Sequence, residues 1–186
     1  MILLGVDEAG RGPLAGPVVA AAAALTDFQR DELVQMGLRD SKKLTALKRE
    51  RIFSRMLELN VAWSAASAQS EQIDRDNILQ ATLWAMRRSV ERFPGVYDGI
   101  VVDGNKEIPG VAAYQEAVVG GDDIYPEISA ASVIAKVLRD RVMTAYDRIW
   151  PEYGFAKHKG YGTAAHRKAI AQFGPTPIHR KSFSWG

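Results

Sequence analysis

Residues 1–25 read MILLGVDEAGRGPLAGPVVAAAAAL, and this stretch decides the fold. Residues 1–6 are an apolar run of strand length, and 18–25 form a second run of Val, Ala and Leu. The Gly16-Pro17 turn ahead of the second run predicts two strands paired through that turn. Asp7 and Glu8 then fall at the C-terminal edge of the first strand, where α/β sheets hold their ligands. Gly10 and Gly12 bracket Arg11 without side chains, so backbone N–H groups there can approach a phosphate or a sugar hydroxyl closely.

Working outward, helices are expected over 27–36 and over 45–60, the second capped by Thr45 and carrying Leu47, Ile52, Phe53, Met56 and Leu57. Between them, residues 40–44 read as a polar loop. Residues 61–68 alternate as a strand, 71–93 form a long helical pattern stopped by Pro94-Gly95, and 99–102 are a short buried strand. A weaker strand over 114–119 and a Gly120-Gly121 turn precede a helix over 128–150, whose small residues Ser129, Ala130, Ala131 and Ser132 permit close packing on a sheet. A last helix covers 163–173, and an irregular tail follows. This order predicts an α/β chain with a mixed five-stranded sheet flanked by helices and a C-terminal helical segment.

The 186 residues fit one domain, 1–186, in which 153–186 is a distinct basic segment. That segment has no Asp or Glu but carries Lys157, Lys159, Arg167, Lys168, Arg180, Lys181 and all three histidines, leaving the remainder net acidic. Such asymmetry fits a polyanion-facing surface, although charge alone favours a solvated positive tail. No apolar run reaches the ~20 residues of a membrane span, and no basic stretch precedes the first apolar run, so the expected setting is the cytoplasm, without membrane. The absence of cysteine excludes disulfides and thiolate metal sites.

Asp103 ends the 99–102 run and meets Gly104-Asn105, repeating the arrangement at Asp7. Asp122 and Asp123 follow the Gly-Gly turn. Carboxylates gathered without Cys or His make an oxygen-only site suited to Mg²⁺ or Mn²⁺. Two such ions ~3.5–4 Å apart activate water and stabilise the leaving oxygen of a phosphodiester. Each acid alone also fits turn or cap chemistry.

Five segments in order carry a family resemblance: 7–17; 40–44; 102–104; 121–122 with 129–137 and 139–140; and 159–163 with His166. The chain resembles a type 2 ribonuclease H of the bacterial HII form. The resemblance implies a ribonuclease H-like fold and an endonuclease that cuts the RNA strand of RNA/DNA hybrids. It also implies nicking of duplex DNA 5′ of a single embedded ribonucleotide, leaving 5′-phosphate and 3′-hydroxyl ends. It assigns Asp7, Glu8, Asp103 and Asp122 to two divalent cations, Mn²⁺ or Mg²⁺, with Asp122 rather than Asp123 in the Gly-Asp position. The backbone of Gly10, Arg11 and Gly12, with Tyr161, is associated with the ribonucleotide. Gly120 departs from the pattern, standing where many relatives carry Lys.

Glu8 poses a geometric question, because adjacent strand residues face opposite ways and both acids reach one metal only if the strand ends or bulges between them. Lys42, Lys43, Lys136, Arg139 and Lys159 are the candidate phosphate contacts, Lys136 and Arg139 sharing a helix face. His158, His166 and His179 read as packing or phosphate-contacting groups rather than ligands. A monomer acting on nucleic acid is expected; the alternative is a non-catalytic or differently specific nucleic-acid-binding protein of the same fold.

Overall fold

The computed structural model describes residues 1–185, with the side chains of Asp40, Ser41 and Lys42 outside the described part. Five strands form one sheet in the order β3-β2-β1-β4-β5. Strands β1 (Leu3–Ala9), β2 (Val18–Ala24) and β3 (Ala62–Ala68) are antiparallel neighbours, whereas β4 (Gly99–Asp103) and β5 (Gln115–Val118) continue the sheet in parallel from β1. The expected mixed sheet is therefore present, flanked by α1 (Asp27–Gln35), α2 (Ala46–Glu58), α3 (Ser70–Asp76), α4 (Ile78–Glu91) and α5 (Pro126–Ile149).

The alanine-rich β2 follows from burial on both faces. Val18, Ala20, Ala22 and Ala24 pack with Leu4 and Val6 against Ala81, Ala85 and Met86 of α4. Ala21 and Ala23 pack the other way, with Ile134 of α5 and Phe53 of α2. Small side chains let the α5 backbone lie directly on the sheet: a Cβ added to Gly5 would sit 2.1 Å from the Glu127 carbonyl carbon. The Pro126 start of α5, two residues ahead of expectation, suits the first helical turn, where an N–H has no intrahelical partner for proline to forfeit.

Three local outcomes differ from the sequence expectations. Strand β1 runs to Ala9, so Asp7 and Glu8 lie inside it. The helical pattern over 71–93 is broken at Asn77, which adopts φ 70° and caps α4 by accepting from the Gln80 N–H at 3.0 Å. Residues Leu38–Lys43 form a 3₁₀ turn rather than an open loop.

The C-terminal segment, with short α6 (Phe155–His158) and α7 (Ala164–Phe173), folds under the loop that follows β1. Leu14 and Ala15 join Met143, Phe155, Ile170 and Ile178 in a separate apolar cluster. Backbone bonds stitch the two: Leu14 N–H to Gly160 O at 2.8 Å, Gly16 N–H to Ile178 O at 2.9 Å, and Arg180 N–H to Leu14 O at 2.8 Å. Among the described residues no helix is long and apolar enough to cross a membrane.

Candidate active site

The β1–β4 ladder ends at Val6 opposite Val102, and the same register carried one step further sets Asp7 level with Asp103. Asp7 lies on the α5 side of the sheet with a side-chain hydrogen bond to Ser132, and its Oδ1 accepts the Glu8 N–H at 2.7 Å. Burial, then the neighbouring charges of Glu8 and Asp103, push the Asp7 carboxyl well above the usual carboxylate range. Glu8 is raised too, first by burial and then by Asp103, with Arg11 opposing. The Arg11 guanidinium stands 3.8 Å from Glu8 Oε1, while Glu8 Oε2 is buried without a hydrogen-bond partner.

Asp122, 2% exposed, is brought beside Asp103: its N–H donates to Asp103 Oδ1 at 3.4 Å, and its carbonyl accepts from the Ser129 hydroxyl. Asp123 faces solvent. No bulge separates Asp7 from Glu8, since the pairing with β2 runs in unbroken register to Ala9 and Val19. The two side chains therefore leave the strand in opposite directions, but the Glu8 carboxylate turns back to a side-chain hydrogen bond with Asp7, and Glu8 also lines a cavity of about 200 Å³ with Asp103, Leu79 and Leu83. Among the described residues no three Asp, Glu or His side chains are gathered into a ready-made metal cage. The donor set still suits a hard cation: burial and the Asp103 charge raise the pKa of both Asp7 and Glu8, and Glu8 Oε2 is left without a hydrogen-bond partner beside them.

On the α5 side, a second cavity of about 410 Å³ is lined by Glu8, Gly10, Arg11, Gly12, Lys136 and Tyr161. Its two glycines are there for different reasons. Gly10 has φ 94°, and a Cβ on it would lie 2.0 Å from Arg139 Nε. Gly12 has no such constraint, because its added Cβ would meet only Tyr161 Cε1, at 3.8 Å. Folding does not require glycine at position 12; its missing side chain leaves open space in front of the Tyr161 ring.

The basic candidates separate sharply. Arg139 is fully buried and donates to the carbonyls of Pro17 at 2.9 Å, Lys159 at 2.8 Å and Ala15 at 3.0 Å, so it is not a phosphate contact. The three-residue spacing from Lys136 is a poor guide here, since one residue lies at the rim of the α5 interface and the other beneath it. Lys136 is part-exposed, with Nζ 2.9 Å from Asp140 Oδ1 and 5.7 Å from the centre of the Tyr161 ring. Lys159 spends its ammonium on the Ala156 carbonyl at 2.6 Å and on Thr144 Oγ1 at 3.2 Å. Lys43 is exposed, and the Lys42 side chain lies outside the described residues. Arg49, which no sequence motif singles out, also lines the larger cavity, and its Nη1 is anchored on the Leu44 carbonyl at 2.7 Å.

The family model for ribonuclease HII matches residues 4–185. The chain belongs to the ribonuclease HII family. It is 52% identical over 184 residues to a ribonuclease HII of Polaromonas, covering 98% of this chain and 89% of that one. Among solved structures, the ribonuclease H2 of Pyrococcus horikoshii superposes with a TM-score of 0.82 at 28% identity, covering 100% of this chain and 95% of that one. The ribonuclease HII in a PCNA complex from Archaeoglobus fulgidus gives 0.84 at 25% identity, covering 99% and 96%. Family and fold together support ribonuclease H activity.

In this family member the histidines form an internal chain rather than a ligand set. The Thr176 N–H donates to His179 Nδ1 at 2.8 Å, so His179 carries its proton on Nε2 and donates to His166 Nε2 at 2.9 Å. His166 in turn donates from Nδ1 to the Tyr161 carbonyl at 2.8 Å. His158 stacks on His166 at 4.3 Å, accepts from Gly160 N–H and donates to the Tyr153 carbonyl at 2.6 Å. Every ring is neutral in this pattern, and an added proton would oppose an N–H already pointing at it. Burial lowers all three pKa values, that of His179 to about 4; Asp147 works against this at His158, and Arg167 with it at His166.

Histidines depressed in the folded state are protonated first in the unfolded chain, so stability is lost as pH falls from ~6.5 toward about 4. The raised Asp7 and Glu8 pull the other way, so the comparison must be internal. The melting temperature of the wild type should fall more between pH 7 and pH 5 than that of His179→Gln; equal falls would show that the chain does not titrate as described.

Proposed function

We propose that this protein is an endonuclease that cuts the RNA strand of RNA/DNA hybrids and nicks duplex DNA 5′ of an embedded ribonucleotide. Asp7, Glu8, Asp103 and Asp122 would hold two divalent cations, Mn²⁺ or Mg²⁺, and the products would carry 5′-phosphate and 3′-hydroxyl ends. The observation that carries the reading is the junction of buried, mutually destabilised carboxylates with an open cavity fronted by Gly12 and Tyr161. Divalent cations in such a site lower the pKa of water and neutralise charge at a phosphodiester.

The chain's own residues supply the rest. Asp7 and Asp103 offer oxygens from neighbouring strands, and Glu8, whose carboxylate already meets Asp7, would add its unpartnered Oε2. The exposed Gly12 leaves the backbone accessible to a 2′-hydroxyl, the one group that separates ribose from deoxyribose. Tyr161 offers a ring face to the adjoining sugar or base, and Arg11, Arg49 and Lys136 line the opening with positive charge for the phosphates. The buried histidines are committed to one another and to backbone carbonyls, so none is left to act as a general base at the acids.

The deciding experiment is cleavage of a DNA duplex bearing one ribonucleotide, with Mn²⁺, with Mg²⁺ and with chelator, and with the product ends mapped. A single nick with a 5′-phosphate, lost on chelation, is expected. Binding of the duplex without cleavage would favour a differently specific or non-catalytic member of the fold.

A further inference from the structure

The two walls of the larger cavity are held from behind by two adjacent residues that do not line it. One wall is the Gly10-Arg11 backbone. The Arg180 guanidinium reaches it with Nη2 on the Gly10 carbonyl at 2.5 Å and Nη1 on the Arg11 carbonyl at 2.8 Å, while Nε bonds Gly16 O at 3.0 Å. The other wall is Tyr161, whose carbonyl is fixed by His166, which is fixed by His179, which is fixed by the Thr176 amide. Arg139 links the walls by bonding the Ala15 and Pro17 carbonyls on one side and Lys159 O on the other.

This arrangement is costly for folding alone. Arg180 is fully buried, and among the described residues no carboxylate is ion-paired to it. Burial and then the nearby Arg139 charge push its pKa down to about 9, which leaves it protonated at neutral pH. A buried cation is tolerated only when hydrogen-bonded, and apolar side chains of similar volume often stabilise such positions better. What an apolar side chain cannot do is hold carbonyl oxygens at set positions, as a rigid five-donor fork does.

We propose that His179 and Arg180 are positioning residues for ribonucleotide recognition. Arg180 sets the Gly10-Arg11 backbone, and His179, acting through His166, sets the Tyr161 backbone, so the spacing between the walls matches a ribose. The proposal rests on the assignment of Gly10-Arg11-Gly12 and Tyr161 to the ribonucleotide, and it extends specificity into a segment far from the acids in sequence.

Three variants test it. Arg180→Lys keeps the charge and loses the fork; His179→Leu keeps bulk and loses the chain; His179→Gln restores an N–H donor at the side-chain end. For each, kcat and KM are measured on a duplex with one ribonucleotide, affinity on the same duplex without it, and folding by thermal melting. Arg180→Lys and His179→Leu should lower kcat by about tenfold or more, since sub-ångström misplacement is amplified in rate. Affinity for the all-DNA duplex should stay within about twofold, because phosphate contacts carry it. His179→Gln should recover most of the kcat.

A merely structural role would shrink the active fraction and weaken both readouts together, which would overturn the proposal. So would wild-type kcat in a folded Arg180→Lys or His179→Leu variant. If Arg180→Lys does not fold, the His179 pair decides. A wild type that binds the duplex yet makes no nick at the ribonucleotide would instead sink the underlying reading, and the proposal with it.

Discussion

Asp7→Asn should reduce cleavage by more than about 100-fold, beyond the loss typical of a residue that only supports a metal ligand, while duplex binding survives. The same substitution should raise the melting temperature of the metal-free protein. Both effects come from one cause. The folded-state pKa of Asp7 is held well above its ordinary value, first by burial and then by Glu8 and Asp103. The unfolded chain therefore releases this proton at lower pH than the folded chain, and stability conferred by the site falls as pH rises from ~4 through the raised value. Above pH ~4 the Asp7 carboxyl is a net cost to folding, either as a buried charge or as a proton that must be taken up. Asparagine removes it, and its Oδ1 can still accept the Glu8 N–H that Asp7 accepts at 2.7 Å.

A divalent cation reverses that cost in the wild type by binding the folded state alone, so added Mn²⁺ should raise the wild-type melting temperature and leave that of Asp7→Asn nearly unmoved. Cleavage assays and melts with and without chelator check all three outcomes. Full activity in Asp7→Asn would end the case for a carboxylate-held cation. A lower metal-free melting temperature would mean that the acids are not in mutual conflict. Such a strained, destabilised site is the usual trade of stability for function.

The sequence was most informative where local pattern and tertiary role coincide. Residues 1–25 betrayed the β1–β2 pair because a strand buried on both faces needs small apolar residues at every position, and β2 has them. Each apolar run visibly stops at an acid, but only Asp103 ends its strand; β1 runs two residues past Asp7 to Ala9. Asp122 was separable from Asp123 only through the family pattern; of the two, Asp122 is buried and Asp123 exposed. The face taken by Glu8 followed from strand parity, but whether β1 bulged did not, because register depends on β2.

Other features left no local trace. The break at Asn77 sits inside an uninterrupted helical periodicity, and only its aptitude for capping could have signalled it. Arg139 and Arg180 look like any surface arginine in sequence, since their carbonyl partners lie more than a hundred residues away along the chain, apart from Lys159. The charge of the C-terminal segment misleads for the same reason. Arg180 is buried and Lys159 is bonded internally, so part of that basic segment holds the loop after β1 instead of facing solvent.

Tyr161→Ala should lower kcat/KM for nicking at a single ribonucleotide by roughly 5- to 150-fold, the equivalent of the 1–3 kcal/mol that a stacked aromatic contributes per base. The ring is 42% exposed, with the Lys136 ammonium 5.7 Å and the Arg139 guanidinium 5.9 Å from its centre. Tyr161→Phe keeps that ring and removes only the hydroxyl, so it divides stacking from hydrogen bonding. Gly12→Ala probes the same space from the opposite wall. Its new methyl would meet the Tyr161 ring at an ordinary 3.8 Å, so the protein should fold and melt as the wild type does. Gly10→Ala should not, because its methyl would collide with the buried Arg139 side chain at 2.0 Å. A Gly12→Ala protein that is stable yet impaired in nicking would mean that the space in front of Tyr161 is kept open for substrate. Unimpaired nicking by both Gly12→Ala and Tyr161→Ala would move ribose recognition out of this cavity.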